Sequence, residues 1–239
     1  MAQPILEIED LAGGYGGTQV LWGVTLALNA GERIGLFGPN GHGKSTLLKT
    51  VSGLLKPWCG AIRLNGASIG GIQPRAVVDL GLIHVPQGNV LFPQLTVFEN
   101  LRLGAFATRA RPEREQNLAR VFELFPRLAE RRRQLSRTLS GGERQMLAIG
   151  VGLMGALKIL MLDEPTLGLA PKLKDELLDA IAKISRVGVP LVLVEQDVEF
   201  LVSLTDRLYM ISHGAVTLDI ASTDRLDHGE IMQMYFGKG

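Results

Sequence analysis

The chain has 239 residues, a formal net charge of +1, 46% hydrophobic residues and one cysteine, Cys59. That length suits one large domain or two small ones. The near-neutral charge excludes a strong electrostatic bias toward nucleic acid, and a lone cysteine excludes an internal disulfide, which fits a reducing compartment and leaves Cys59 a packing role.

The start, MAQPILEIED, lacks a basic segment followed by an apolar one, and no apolar run approaches the length of a membrane span. A soluble chain is expected, one that reaches any membrane only through a partner. Ile5 to Leu11 alternates apolar and polar residues and reads as a half-buried strand. Ala12 to Gly17 (AGGYGG) reads as a glycine-rich loop centred on Tyr15. Val20 to Leu28 reads as a second strand, and Ala30-Gly31-Glu32 as the turn into Arg33 to Phe37 (RIGLF), a short apolar run of the kind found in buried strands.

Gly38 to Thr46 then reads GPNGHGKST, a glycine, four residues and Gly-Lys-Ser. Glycines at 38, 41 and 43 let the backbone turn tightly and aim its N–H groups at an anion. The following segment, Lys44 to Leu55, spaces Leu47, Leu48, Val51, Leu54 and Leu55 as a helix does, and its positive end points at the same place. Lys44 can add a full charge against β- and γ-phosphates, and the Ser45 hydroxyl can ligate Mg²⁺. Gly38, Asn40, Gly41, Gly43, Lys44, Ser45 and Thr46 are therefore the candidate nucleotide-binding residues.

Ala61 to Leu64 reads as a strand ending in the tight-turn pair Asn65-Gly66, and with the first two strands it is expected to form an antiparallel side sheet. Leu82 to Val85 is another short strand. From Thr96 to Leu157 the pattern is mostly helical, punctuated by Pro112 and Pro126. It reads as a helical subdomain, residues 90–158, inserted into an α/β core. Ser140-Gly141-Gly142-Glu143 opens a long helix, with Ser140 and Glu143 spaced as a capping box. Ile159 to Leu162 is a strand, Lys172 to Ile184 an amphipathic helix and Val189 to Val194 a strand. Leu208 to Ile211 and Val216 to Ile220 form a hairpin about His213-Gly214, and Asp224 to Tyr235 is expected to be helical.

Two further motifs carry chemistry. Asp163 and Glu164 follow four apolar residues at a strand's end, where ligands sit in α/β sheets. Asp163 is placed to hold Mg²⁺ and Glu164 to orient and deprotonate an attacking water. LSGGERQ, from Leu139 to Gln145, puts two glycines at a capped helix start, an anion site of its own. Two phosphate sites in one chain make sense if two such chains meet head to tail, each closing the other's nucleotide.

On these residues the chain resembles the ATP-binding subunits of ABC transporters, essentially end to end. GPNGHGKST resembles the family's Walker A loop, LSGGERQ its signature motif and ILMLDEP its Walker B strand. The resemblance implies an α/β P-loop NTPase core with an antiparallel β side sheet and an inserted helical subdomain, in a single domain spanning 1–239. It further implies that Gln87 of VPQ contacts Mg²⁺ and the attacking water. Tyr15 would stack on adenine, and Ser140, Gly141 and Gly142 would cap the γ-phosphate of a partner's ATP. LSGGERQMLAIG, TLGLAP, VEQD and the ending MYFG resemble the subgroup that serves importers of branched-chain amino acids, urea and short amides. The cofactors implied are ATP and Mg²⁺. The partners implied are a second, related ATP-binding subunit, transmembrane permease subunits and, indirectly, a substrate-binding protein, at the cytoplasmic face of the membrane and with no nucleic acid.

The sequence departs from the family pattern in places. Gln196 stands where most of the family has a histidine; its amide can still donate to the γ-phosphate but cannot become cationic. Val151 replaces a common arginine, Ala170 a common aspartate, and His42 a common alanine, with its side chain expected to point away from the phosphates. Arg131-Arg132-Arg133 reads as a solvated helix face rather than a lipid-headgroup contact. Phe92, Leu95 and Val97 suit either local core packing or a membrane partner's helix. Two other functions compete with a transport ATPase: a low-activity ATP-binding partner in an asymmetric dimer, motivated by Gln196 and Val151, and a non-transport ABC ATPase acting on ribosomes or DNA, for which no second nucleotide domain, coiled-coil insertion or basic surface is present.

Overall fold

The computed structural model describes residues 3–88, 91–107 and 110–221; the helix expected from Asp224 to Tyr235, and the ending MYFG, lie outside them. The larger sheet is built from β3 (Arg33–Phe37), β6 (Leu82–Val85), β7 (Ile159–Asp163), β8 (Leu191–Val194), β9 (Arg207–Ser212) and β10 (Ala215–Ile220). Its order is β10-β9-β3-β8-β7-β6. All neighbours run parallel except β9 and β10, whose hairpin turns through His213 and Gly214, both at positive φ.

The short apolar runs become parallel strands because both faces of this sheet are covered. Successive side chains point to opposite faces, so Ile159, Met161, Val192 and Val194 enter one core, and Leu160, Leu162, Leu191 and Leu193 enter another. The first core also receives Leu47, Leu48 and Val51 of α1 (Lys44–Val51), together with the side sheet. The second receives the helices that follow β6.

The side sheet has the order β2-β1-β4-β5, from β1 (Leu6–Tyr15), β2 (Thr18–Leu28), β4 (Cys59–Leu64) and β5 (Ala67–Ser68), and all its pairs are antiparallel. The Asn65-Gly66 turn joins the last two, with both residues at positive φ, the conformation that such two-residue turns require. The Ala12–Gly17 segment is a correction: β1 continues through it to Tyr15, and only Gly16 and Gly17 remain as the turn. The glycines serve a bulged strand, with register shifts at three places. A Cβ on Gly14 would lie 2.0 Å from the Thr18 carbonyl oxygen. Cys59 is also corrected, being exposed rather than packed.

Between β6 and β7 lie α3 (Val97–Gly104), α4 (Arg114–Leu124), α5 (Pro126–Glu130) and α6 (Gly141–Leu153), the last preceded by a single 3-10 turn at Ser136–Thr138. Pro126 ends one helix and begins the next, as its missing N–H and fixed φ require. Ser140 and Glu143 close the capping box on α6, and Thr96 and Glu99 close another on α3. Val97 is fully buried while Phe92 is 59% exposed, so core packing claims only part of that segment. Arg131 forms a 2.7 Å ion pair with Glu143, Arg132 lies over the Phe98 ring, and Arg127 pairs with Glu176 of α7 (Pro171–Arg186). Two short helices had no sequence counterpart, α2 (Pro74–Asp79) and α8 (Val198–Leu204).

Candidate functional site

The parallel register aligns the carboxyl ends of four strands. Leu36 of β3 pairs with Val194 of β8, Asp163 of β7 pairs with the same Val194, and Val85 of β6 pairs with Leu162. The segments that leave these ends are the glycine loop, Gln87, Asp163-Glu164 and Glu195-Gln196. Sheet topology alone therefore gathers residues up to 158 positions apart in the chain.

In the glycine loop, Gly38, Gly41 and Gly43 all have positive φ (139°, 79° and 104°), a region open to glycine at little cost. Gly38 also passes so close to Ile211 that a Cβ would lie 2.1 Å from its carbonyl oxygen. Gly43 occupies the N-cap of α1 without a side-chain cap, so the first N–H groups of the helix remain directed at the loop. Lys44 is buried, and its Nζ donates to the carbonyls of Gly38 at 2.7 Å and Pro39 at 3.0 Å. Burial lowers its pKa from the usual lysine value, against the opposing pull of Glu164 and Asp163.

Ser45 Oγ donates to Asp163 Oδ1 at 3.1 Å. Burial raises the pKa of Asp163, with the Ser45 bond acting against it, and Asp163 Oδ2 is buried without a partner. Glu164 adopts φ 47°, strained for a non-glycine residue. Its carboxylate accepts from Gln87 Nε2 at 3.0 Å on Oε2 and from Gln196 Nε2 at 3.2 Å on Oε1. A cavity of about 310 Å³ is lined by Asn40, Gly41, Gly43, Lys44, Ser45, Thr46, Gln87 and Glu164. The structure thus brings together nearly all of the residues expected to meet phosphate and metal.

Ser140, Gly141 and Gly142 do not line that cavity. Gly141 borders a second one, of about 480 Å³, which shares Gln87 and Glu164 with the first. Ser140 Oγ accepts from the Glu143 N–H, which leaves its own proton to donate outward. Gly142 packs on α7, where a Cβ would come within 2.3 Å of the Leu173 Cδ1 methyl, so any larger residue there would have to displace that side chain. Tyr15 is 46% exposed at the tip of the β1–β2 hairpin, and its hydroxyl accepts from Thr46 Oγ1 at 3.4 Å and Lys49 Nζ at 3.5 Å.

The sequence reading missed what surrounds His42. The β9–β10 turn folds back on the loop, so that His213 N donates to His42 Nδ1 at 3.0 Å and Gly214 N to the His42 carbonyl at 3.1 Å. The two rings lie 4.6 Å apart. Desolvation, His213 and Lys44 lower the pKa of His42, consistent with Nδ1 acting as an acceptor. The turn also ties to the side sheet, since Trp22 N donates to Gly214 O at 2.8 Å. A His-Gly turn is legible in sequence; its contact with a residue 171 positions away is not. Val151 packs among the apolar side chains of the helical block.

A glycine loop opening a helix, with a hydroxyl on one carboxylate and two amides on the next, defines a P-loop nucleotide-binding site. Comparison with known proteins narrows the class. The family model described as ABC transporter matches residues 21–167. The high-affinity branched-chain amino acid transport ATP-binding protein BraG of Pseudomonas aeruginosa is 38% identical, with 98% of this chain and 100% of that protein covered. BraF of the same organism, which carries the same description, is 32% identical over the full length of both. A solved structure of an ATP binding subunit of an ABC transporter superposes with a TM-score of 0.82 at 30% identity, covering 98% of this chain and 93% of that one. The chain belongs to the ABC transporter family, among its ATP-binding subunits.

Proposed function

We propose that this subunit hydrolyses ATP to power a membrane importer of branched-chain amino acids or a similar small polar solute such as urea or an amide. The observation that carries the reaction is the Glu164 carboxylate, held between two amides beside the Ser45–Asp163 pair and open to the loop cavity. In this reading the glycine loop, Asn40, Lys44 and Thr46 bind the phosphates, and Tyr15 stacks on adenine. Lys44 leaves the Gly38 and Pro39 carbonyls for the β- and γ-phosphates.

Mg²⁺ fits the donor set. Asp163 Oδ2 is a buried oxygen awaiting a partner, Ser45 presents a hydroxyl, and Gln87 spends its N–H on Glu164, which leaves its amide oxygen for a cation. The bound ion would supply charge neutralisation between the phosphates. Glu164 accepts the proton of the attacking water, and Gln196 turns its amide toward the γ-phosphate.

Ser140, Gly141 and Gly142 serve the nucleotide of a second ATP-binding subunit. Their exclusion from the chain's own loop cavity supports a composite site, and the related pair BraG and BraF in one organism supports a paralogue as partner. The single domain 1–239, with its helical subdomain at 90–158, would sit peripherally at the cytoplasmic face against permease subunits. A substrate-binding protein would act indirectly, and nucleic acid would have no part. Among the described residues no helix is long and apolar enough to cross a membrane. Gln196 keeps a second reading alive, in which this subunit is the less active member of an asymmetric pair. The test is labelled-leucine and labelled-urea uptake in cells carrying the wild type or Glu164→Gln, with ATP turnover of the purified transporter. Uptake and turnover that survive the substitution would reject the proposed base.

A further inference from the structure

The mechanism makes no use of Glu195, a buried carboxylate. Glu195 is only 3% exposed, and no basic side chain pairs with it among the described residues. Burying a carboxylate without a cation is costly unless N–H or O–H groups replace its water. Here they do. Thr166 N donates to Glu195 Oε1 at 2.7 Å, and the Thr166 hydroxyl and the Gln196 N–H also favour its charged form. Burial is the largest influence on this carboxyl and raises its pKa, with those donors pulling the other way.

Its position gives those bonds a consequence. Asp163 and Val194 are paired across β7 and β8, so Glu164 and Glu195 leave the sheet side by side, with Glu164 N donating to Val194 O at 2.8 Å and Glu195 N to Leu36 O at 3.2 Å. Glu195 then reaches across to Thr166, two residues beyond Glu164. The turn between is closed by Leu167 N donating to Glu164 O at 3.2 Å, and it holds Glu164 at φ 47°. A conformation strained by itself persists only where its surroundings determine it. The adjoining residue on the other side is Gln196, which grips Glu164 Oε1.

We propose that Glu195 is a positioning residue that pins Thr166, and thereby holds the Glu164 turn and the Gln196 amide in register for attack on the γ-phosphate. This rests on the ATPase reading above. The reacting groups are Glu164 and Gln196; Glu195 touches neither nucleotide nor water and acts only through them.

The experiment measures ATP turnover and nucleotide affinity of the assembled transporter carrying Glu195→Leu or Glu195→Gln. Leucine fills the volume but accepts nothing, so kcat should fall about 10–100-fold, the loss of a hydrogen bond to a charged group, with KM for ATP unchanged. Glutamine keeps a carbonyl for the Thr166 N–H and should recover most of that loss. If Glu195→Leu does not assemble, Glu195→Asp, which withdraws the acceptor by one methylene, is read in the same way. Unchanged kcat in these variants, a fall in ATP affinity matching the fall in turnover, or no rescue by glutamine would overturn the inference. An inactive wild-type transporter would instead overturn the ATPase reading and the inference with it.

Discussion

Gln196 donates its side-chain amide to Oε1 of Glu164 at 3.2 Å, on the opposite oxygen from Gln87. The residue at the family's histidine position is therefore engaged with the carboxylate proposed as the base. A glutamine holds the carboxylate and can donate to phosphate, but it brings no positive charge. Gln196→His keeps one donor and adds a group that can become cationic. Steady-state turnover should rise, by up to about tenfold from a stronger bond to a charged oxygen. An unchanged rate would show that the missing charge is not what limits this site.

The same carboxylate yields a second expectation. Glu164→Gln retains the shape of the side chain but cannot accept a proton from water. ATP affinity should survive, while turnover falls by about 10²–10⁴, the range for removal of a general base. Equilibrium binding and single-turnover assays on one preparation separate the two. An amide here also faces two amide donors where a carboxylate faced none of its own kind, so one of the Gln87 and Gln196 bonds must rearrange.

Acid should weaken the fold through His84. Its Nδ1 lies 3.0 Å from Ser52 Oγ, whose own proton goes to the Lys49 carbonyl, so the imidazole donates there and leaves Nε2 buried without a partner. Burial, with help from Lys49, lowers its pKa to about 4. An unfolded-state histidine near 6.5 takes up its proton first as pH falls, so the stability contribution is complete above 6.5 and is lost between 6.5 and 4. The loss amounts to about 3 kcal/mol. Urea melts at pH 7.5 and pH 5, which cover only the upper part of that window, should differ by about 2 kcal/mol for the wild type, and by much less for His84→Leu.

Gly214 and Gly16 both sit at positive φ, but in different surroundings. A Cβ on Gly214 would lie 1.9 Å from the Val20 carbonyl oxygen, whereas one on Gly16 would meet nothing within 4 Å. Gly16→Ala should cost about 1–2 kcal/mol, the price of a left-handed backbone alone. Gly214→Ala should cost more, and should also weaken ATP binding, because it displaces the turn that clamps His42 in the phosphate loop. Thermal melts with nucleotide titrations of both variants check this; equal effects would mean that the clamp is irrelevant to binding.

Much of the site could be read from the chain because its chemistry is local. Gly38 to Thr46 is contiguous, Asp163-Glu164 ends a visible apolar run, and Ser140 with Glu143 obeys a spacing rule that the helix then satisfies. What escaped depends on distance or on tolerance. The Ala12–Gly17 glycines look like a loop because glycine usually weakens strands, yet a bulged strand can use them where another backbone comes close. Helix α8 has seven residues and an Asp197 cap, too short for a periodic signal. Nothing local marks Glu195, because only the register of β7 on β8 places it beside the turn that carries Glu164.

The backbone links from Trp22 to Gly214 and from Gly214 to His42 join the hairpin that bears Tyr15 to the phosphate loop. With Tyr15 as the platform for the base, that splice works as a ruler: it fixes how far a ring can lie from the triphosphate. A stacking face recognises the flat surface of a ring, not the hydrogen-bonding atoms along its rim. Such a device gauges the length of a nucleotide and leaves its letter largely unread, so GTP should compete with ATP far better than a triphosphate that lacks a base.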